Sequence, residues 1–396
     1  MKPSLETSED MAQADFLSVL PYVAAVGVAV GLYFLRRHVK GEVCRSDVRL
    51  NGKTAIVTGA NTGIGKATAL ELADRGARVI LACRNMAKAK KAASDIRQAT
   101  GNGNVVAWKL DLASLTSVRA FAGHINTEEE RLDILVNNAG VMWCPQQQTE
   151  DGFELQFGVN HLGHFLLTNL LLDKLKASAP SRVVTVSAVG HKSAHIVFGN
   201  LNAEKSYSPY QANFQSKLAN ALFSRELAKR TSDFPVGTGV SAFSVDPGPV
   251  RTELARHMPG PGAAKSPFTT RIQAVTQRRS FVCVVLFLLH AGTGVSAFSV
   301  DPGPVRTELA RHMPQTLGPV LYPLFWVVMK LIHPIVKTPR EGAQTSLHCA
   351  VAEGLEACSG MYFKECAPAE PAPQAKDDAV ARRLWEVSEE MVGINT

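Results

Sequence analysis

Two kinds of pattern are missing from this chain of 396 residues. None of its seven cysteines forms a CxxC pair, and the scattered set (Cys44, Cys83, Cys144, Cys283, Cys349, Cys358, Cys366) fits no simple disulfide framework. A reducing, cytosol-facing setting follows. Also lacking is any stripe of Arg and Lys with interleaved aromatics, so the formal charge of +7 does not point to nucleic acid. Much of the local basicity, in Arg36, Arg37, Lys40 and Arg45, directly follows an apolar run and suits a membrane surface. Charged residues make up only 19% and apolar residues 46%, which excludes a disordered chain and supplies a full core. The length suits one large α/β domain with extras, or two modest domains.

The apolar run, Phe16–Leu35, is 20 residues without a charge. At about 1.5 Å per residue it can cross a hydrocarbon core of roughly 30 Å. Its N-terminal flank is acidic (Glu6, Glu9, Asp10, Asp15), unlike a secretory signal. With the basic cluster on the C-terminal side, the expectation is one uncleaved transmembrane helix, with the chain after it facing the cytosol. The organisation is then a tail (1–15), an anchor (16–35), a basic linker (36–51), a main domain (52–366) and a C-terminal linker and helix (367–396).

From Gly52 onward, strand-like and helix-like segments alternate. Strands are expected at 55–58, 78–82, 105–110, 132–136, 182–187 and 240–245. Helices are expected at 64–75, 86–98, 115–125, 155–175, 216–229 and 377–391. Such alternation predicts a doubly wound parallel sheet with helices on both faces and ligands at the C-terminal strand ends. Residues 237–259 and 292–314 are identical, and only one copy can supply the strand. An exon duplication or an error of gene structure explains perfect identity better than a functional repeat does. Residues 317–336 form a second apolar segment.

Directly after the first strand comes Thr58-Gly59-Ala60-Asn61-Thr62-Gly63-Ile64-Gly65. Glycines there let the backbone approach a pyrophosphate seated on the next helix N-terminus. The second strand ends at Arg84, where a carboxylate would hold the ribose hydroxyl of NAD; a guanidinium instead suits the 2′-phosphate of NADP(H), and Lys66 adds positive charge. His161 and His164 lack a third ligand nearby, so no metal is expected.

These motifs, with Asp111 in LDLAS, Asn137-Asn138-Ala139-Gly140 and FGVNHLGHFLLTNLLL, resemble the short-chain dehydrogenase/reductase superfamily, and within it the microsomal retinol dehydrogenases. The resemblance implies a Rossmann-type fold and a single-pass protein of the endoplasmic reticulum membrane. It implies hydride transfer between NADP(H) and retinal, retinol or a related lipophilic aldehyde or alcohol. Self-association is left open. It puts Asp111 and Leu112 by the adenine, Asn138, Ala139 and Gly140 along the cofactor, and Pro247-Gly248 (or Pro302-Gly303) by the nicotinamide. Lys217 would serve both cofactor and catalysis. Of the family tetrad Asn, Ser, Tyr and Lys, Asn160 and Lys217 match; the serine position is Ala188 and the tyrosine position is Asn213. A tyrosine would exchange the proton that accompanies hydride, and a serine would polarise the same oxygen. Ser187 is expected on the opposite strand face, and Tyr210 shares the Lys217 helix face but one turn early. Two readings follow: a retinal-reducing oxidoreductase, and an NADP(H)-binding pseudoenzyme.

Overall fold

The computed structural model describes residues 39–232, 239–250, 252 and 336–394, with residues 26, 27, 30, 31, 33, 34, 36 and 37. Strands and helices alternate through β1 (Thr54–Thr58), α1 (Gly63–Asp74), β2 (Arg78–Cys83), α2 (Met86–Thr100), β3 (Val105–Lys109), α3 (Leu115–Glu128) and β4 (Ile134–Asn137). Then come α4 (Gly163–Ala177), β5 (Ser181–Val186), α5 (Pro209–Arg230), β6 (Val240–Asp246), α6 (Pro339–Val351), β7 (Tyr362–Lys364), β8 (Ala367–Pro368) and α7 (Asp378–Val392). The strands form one sheet in the order β3-β2-β1-β4-β5-β6-β7-β8, parallel except for β8.

Because side chains alternate across a strand, each strand feeds two cores. Ile56, Ile80, Leu135 and Val183 pack into one layer with α3, α4, α5 and α7. Their neighbours Ala55, Val57, Val79, Leu81, Ile134 and Val184 pack into the other with α1, α2 and α6. Burial on both faces is why these strands read as unbroken apolar runs. Phe165, Phe223 and Trp385 meet at ring separations of 4.9 to 5.7 Å and fasten α7 onto α4 and α5.

Several expectations are corrected. The helix expected at 155–175 is split into a turn at Leu155–Phe157, a π-helical turn at Gly158–Leu162, and α4. The wider π turn carries Asn160, a common use of such turns at functional positions. Helix α5 starts at Pro209 rather than at 216, with Ser208 as its N-cap. Helix α6 was not expected; Thr338 and Glu341 form a capping box at its start. Strand β7 has three residues, too few to show a period. In the Pro/Ala-rich stretch after 366, Ala367–Pro368 pairs with β7 as an edge strand, where a proline without an N–H is tolerated.

The first repeat copy supplies β6, which lies between β5 and β7. The second copy, and the apolar segment up to residue 335, lie outside the described residues. So does most of the expected anchor; within it Val26, Val30, Tyr33 and Phe34 are helical and exposed. Among the described residues no helix is long and apolar enough to cross a membrane. The basic linker is tied to α6: Arg36 donates to both Glu341 carboxylate oxygens at 2.6 and 2.7 Å, and the Cys44 amide donates to Gln344 Oε1 at 3.1 Å.

Candidate active site

Strand order reverses between β1 and β4, and the glycine turn leaves β1 at that point. Gly59 has φ +66°, and a Cβ there would lie 2.9 Å from the Ala139 Cα. A Cβ on Gly65 would collide with the Asn138 side chain and lie 2.7 Å from the Gly59 carbonyl. The turn therefore packs against the Asn138–Gly140 loop with no room for side chains. Thr62 N-caps α1 without a side-chain bond, leaving the first-turn amides for an anion. Asn61, Gly63 and Ile64 stay partly open beside them. After Pro247-Gly248 the chain returns to this turn, the Thr252 methyl lying 3.2 Å from where a Gly63 Cβ would stand. The cradle fits a dinucleotide pyrophosphate.

The β1 and β4 ends are clamped by Thr58, a residue the sequence reading passed over. Its hydroxyl accepts the amides of Asn138 and Ala139, both at 2.9 Å. His164 Nδ1 faces the Asn160 carbonyl at 3.0 Å and so carries the proton, leaving Nε2 to accept from Thr58 Oγ1 at 2.8 Å. Burial pushes His164 down to about 4 and His161 to about 3, so both rings are neutral at physiological pH. His161 Nε2 bonds Ser388 at 3.0 Å, and no metal-binding group of His, Cys, Asp or Glu occurs among the described residues.

At the end of β2, Arg84 is largely exposed and its Nε lies 4.0 Å from Asp111, a loose pair that leaves the guanidinium accessible. Leu112 is buried against Gly163. Lys66 departs from expectation: its amine bonds Asp95 at 2.6 Å, so its charge is already neutralised.

Two of the four tetrad positions, Asn160 and Asn213, converge on one carbonyl. Asn160 donates to the Val141 oxygen at 2.9 Å and accepts the Val141 amide at 2.8 Å. Asn213 donates to the same Val141 oxygen at 3.3 Å. Asn160 also donates to Ser216 Oγ at 3.0 Å. One turn beyond Asn213, the buried Lys217 amine donates to the Val186 carbonyl at 3.2 Å. Burial pushes this amine down to about 8, with the Asp246 carboxylate pulling the other way. A Cβ on Gly140 would lie 3.2 Å from Asn160 Oδ1 and 3.8 Å from Lys217 Nζ, which is why glycine closes that loop.

Among the described residues, the side chains next to the altered positions are committed elsewhere. Ala188 begins the turn after β5 and offers only its carbonyl, which accepts from His191 Nδ1 at 2.8 Å. Ser187 points the other way, its hydroxyl donating to the Lys217 carbonyl at 2.7 Å. Tyr210 packs against Trp143 with ring centres 4.9 Å apart. Gln156 and Ser216, which brace this cluster, were also missed; both lie in helices whose true bounds the periodicity did not reveal.

A family model described as short chain dehydrogenase matches residues 53–260. The chain is 47% identical to human retinol dehydrogenase 12 over 360 residues, covering 91% of this chain and 92% of that protein. It is 47% identical to human retinol dehydrogenase 13 over 377 residues, 95% of each chain. A crystal structure of an uncharacterised protein from Mycobacterium paratuberculosis, 29% identical, covers 89% of this chain and 98% of its own, with a TM-score of 0.59. Fold, site and similarity agree: the chain belongs to the short-chain dehydrogenase family. Within that family it falls in the retinol dehydrogenase group.

Proposed function

We propose that this protein is a membrane-anchored NADP(H)-dependent oxidoreductase that interconverts retinaldehyde and retinol, or a related lipophilic pair, with turnover held down by Ala188 and Asn213. The observation that carries the reading is the Asn160–Val141–Asn213–Lys217 cluster beside a glycine cradle at the strand-order reversal. The cofactor, when bound, supplies the hydride. The α1 N-terminus with Gly59, Asn61, Thr62, Gly63, Ile64 and Gly65 holds the pyrophosphate, and Arg84 the 2′-phosphate. Asp111 and Leu112 flank the adenine, Asn138, Ala139 and Gly140 line the cofactor's length, and Pro247-Gly248 borders the nicotinamide. Lys217 serves the ribose, and Asn160 keeps the Val141 loop in place. The apolar run 16–35 anchors the chain in the endoplasmic reticulum membrane with the catalytic domain in the cytosol.

A second reading, an NADP(H)-binding pseudoenzyme, is favoured by the hydroxyl of Ser187 being committed to the Lys217 carbonyl and by an amide standing where a phenol is needed. Titrating NADPH and NADH into the full chain, and following NADPH consumption with retinaldehyde, tests both readings. Tighter NADPH binding that Arg84→Ala abolishes supports the cofactor assignment; equal affinities overturn it. Slow but retinaldehyde-dependent consumption supports the enzyme, and none supports the pseudoenzyme.

A further inference from the structure

Trp143 is a non-glycine residue in the left-handed region, with φ 52°. Such a conformation is strained and persists only where its surroundings impose it. Here they do. The Trp143 amide donates to Gln156 Oε1 at 2.8 Å, and Gln156 is fully buried. The other end of Gln156 donates to the Tyr207 hydroxyl at 3.1 Å and to the Pro209 carbonyl at 3.0 Å. Tyr207 in turn donates to the Cys144 carbonyl. The loop after β4 is thus laced to the start of α5, and the Trp143 ring comes to rest on Tyr210 at an interplanar angle of 59°.

We infer that Trp143 and Tyr210 form an aromatic wall that grips the apolar conjugated tail of the substrate whose carbonyl meets the Asn160–Asn213–Lys217 cluster. The inference rests on the reading of that cluster as the reacting site. Both rings belong to the two segments that build the cluster. Trp143 lies two residues past Val141, whose oxygen binds Asn160 and Asn213. Tyr210 lies three residues before Asn213, hence on a neighbouring part of the same helix surface. The pair runs from inside to outside, Trp143 being 6% exposed and Tyr210 44%. A large ring left this open at a helix start adds little to the fold, but offers a face to a polyene. Burial pushes the Tyr210 phenol up, which disfavours proton exchange near neutral pH and leaves its ring as the useful part. Stacking contacts of this kind contribute about 0.5–1.5 kcal/mol beyond area burial.

The test is binding of all-trans-retinaldehyde to the full chain in detergent micelles, read by quenching of tryptophan fluorescence, with NADPH affinity measured on each variant. Tyr210→Ala should weaken retinaldehyde about 3- to 10-fold with NADPH affinity unchanged. Tyr210→Phe, which keeps the ring, should stay within about twofold. Trp143→Phe should remove most of the quenching. Unchanged retinaldehyde affinity in Tyr210→Ala overturns the wall while leaving the retinoid reading intact. Equal weakening by Phe and Ala assigns the effect to the hydroxyl and also overturns it. Quenching that persists in Trp143→Phe places the tail elsewhere. Failure of the unmodified chain to bind retinaldehyde, with NADPH still bound, overturns the wall and the retinoid assignment together.

Discussion

Supplying a serine hydroxyl at position 188 and a tyrosine hydroxyl at position 213 should raise retinaldehyde turnover. In Asn213→Tyr the new phenol stands one helical turn from Lys217, whose buried amine is pushed down to about 8 and is therefore mostly protonated at pH 7. A unit charge about 4 Å away at an effective dielectric near 20 is worth roughly 4 kcal/mol. That corresponds to about three pKa units, enough to carry a phenol from about 10 toward neutrality before burial takes part of it back. A proton donor so tuned contributes about 10²–10⁴ in rate, and the Ala188→Ser hydroxyl about 10²–10³ more. The two act on one oxygen, so the double variant should exceed either single change without reaching their product. Loss of NADPH absorbance with retinaldehyde as acceptor measures the rate. Phenol and amine would titrate as a coupled pair. While Lys217 stays charged the phenol is the first of the pair to lose its proton, so reduction by the restored enzyme should fall as the pH rises past neutrality. Lys217→Met in the restored background should abolish most of the gain. If the double variant binds NADPH as the unmodified chain does and turns over no faster, the assignment of positions 188 and 213 is wrong.

Three further outcomes are expected. Gly65→Ala drives a methyl toward the Gly59 carbonyl and the Asn138 side chain, and should cost about 1–3 kcal/mol in urea unfolding together with NADPH affinity. Asp133, bonded to Arg131, Lys53 and the Thr54 amide, is a buried structural anion: burial pushes its carboxyl up, but those bonds outweigh burial and hold it below its ordinary value. Its folded pKa being lower than its unfolded one, its stabilisation is complete above about pH 4 and is lost as the pH falls through the folded value. Asp133→Ala should cost about 1.5–3 kcal/mol at pH 7, since Lys53 and Arg131 keep access to solvent, and flatten the acid limb of stability against pH; an unchanged limb would contradict the linkage. Protease added to sealed microsomes should leave only a short N-terminal stub protected, and protection of the bulk of the chain would reverse the proposed topology.

What the sequence by itself determined is local or periodic. Apolar runs such as Ala55–Thr58 and Val79–Ala82, and the glycines between Thr58 and Lys66, carry their structural consequences in a few consecutive residues. Sheet class, cofactor turn and the positions of the first six strands were therefore readable, and the bounds of those strands differ by no more than two residues from the expectation. Missed features depend on partners distant in the chain. Strand β7 is three residues long and exists because β6 offers an open edge, to which β8 adds a final turn-back. The π turn at Gly158–Leu162 has no periodic signature, yet it aims Asn160 at Val141. Tertiary structure also shows where the first of the two identical copies goes: residues 240–246 form β6, paired with β5 on one side and β7 on the other. It likewise committed polar groups to partners that only the fold brings close. Lys66 spends its charge on Asp95, and Ser187 spends its hydroxyl on Lys217, because a buried or half-buried polar group takes whichever partner the fold brings within reach.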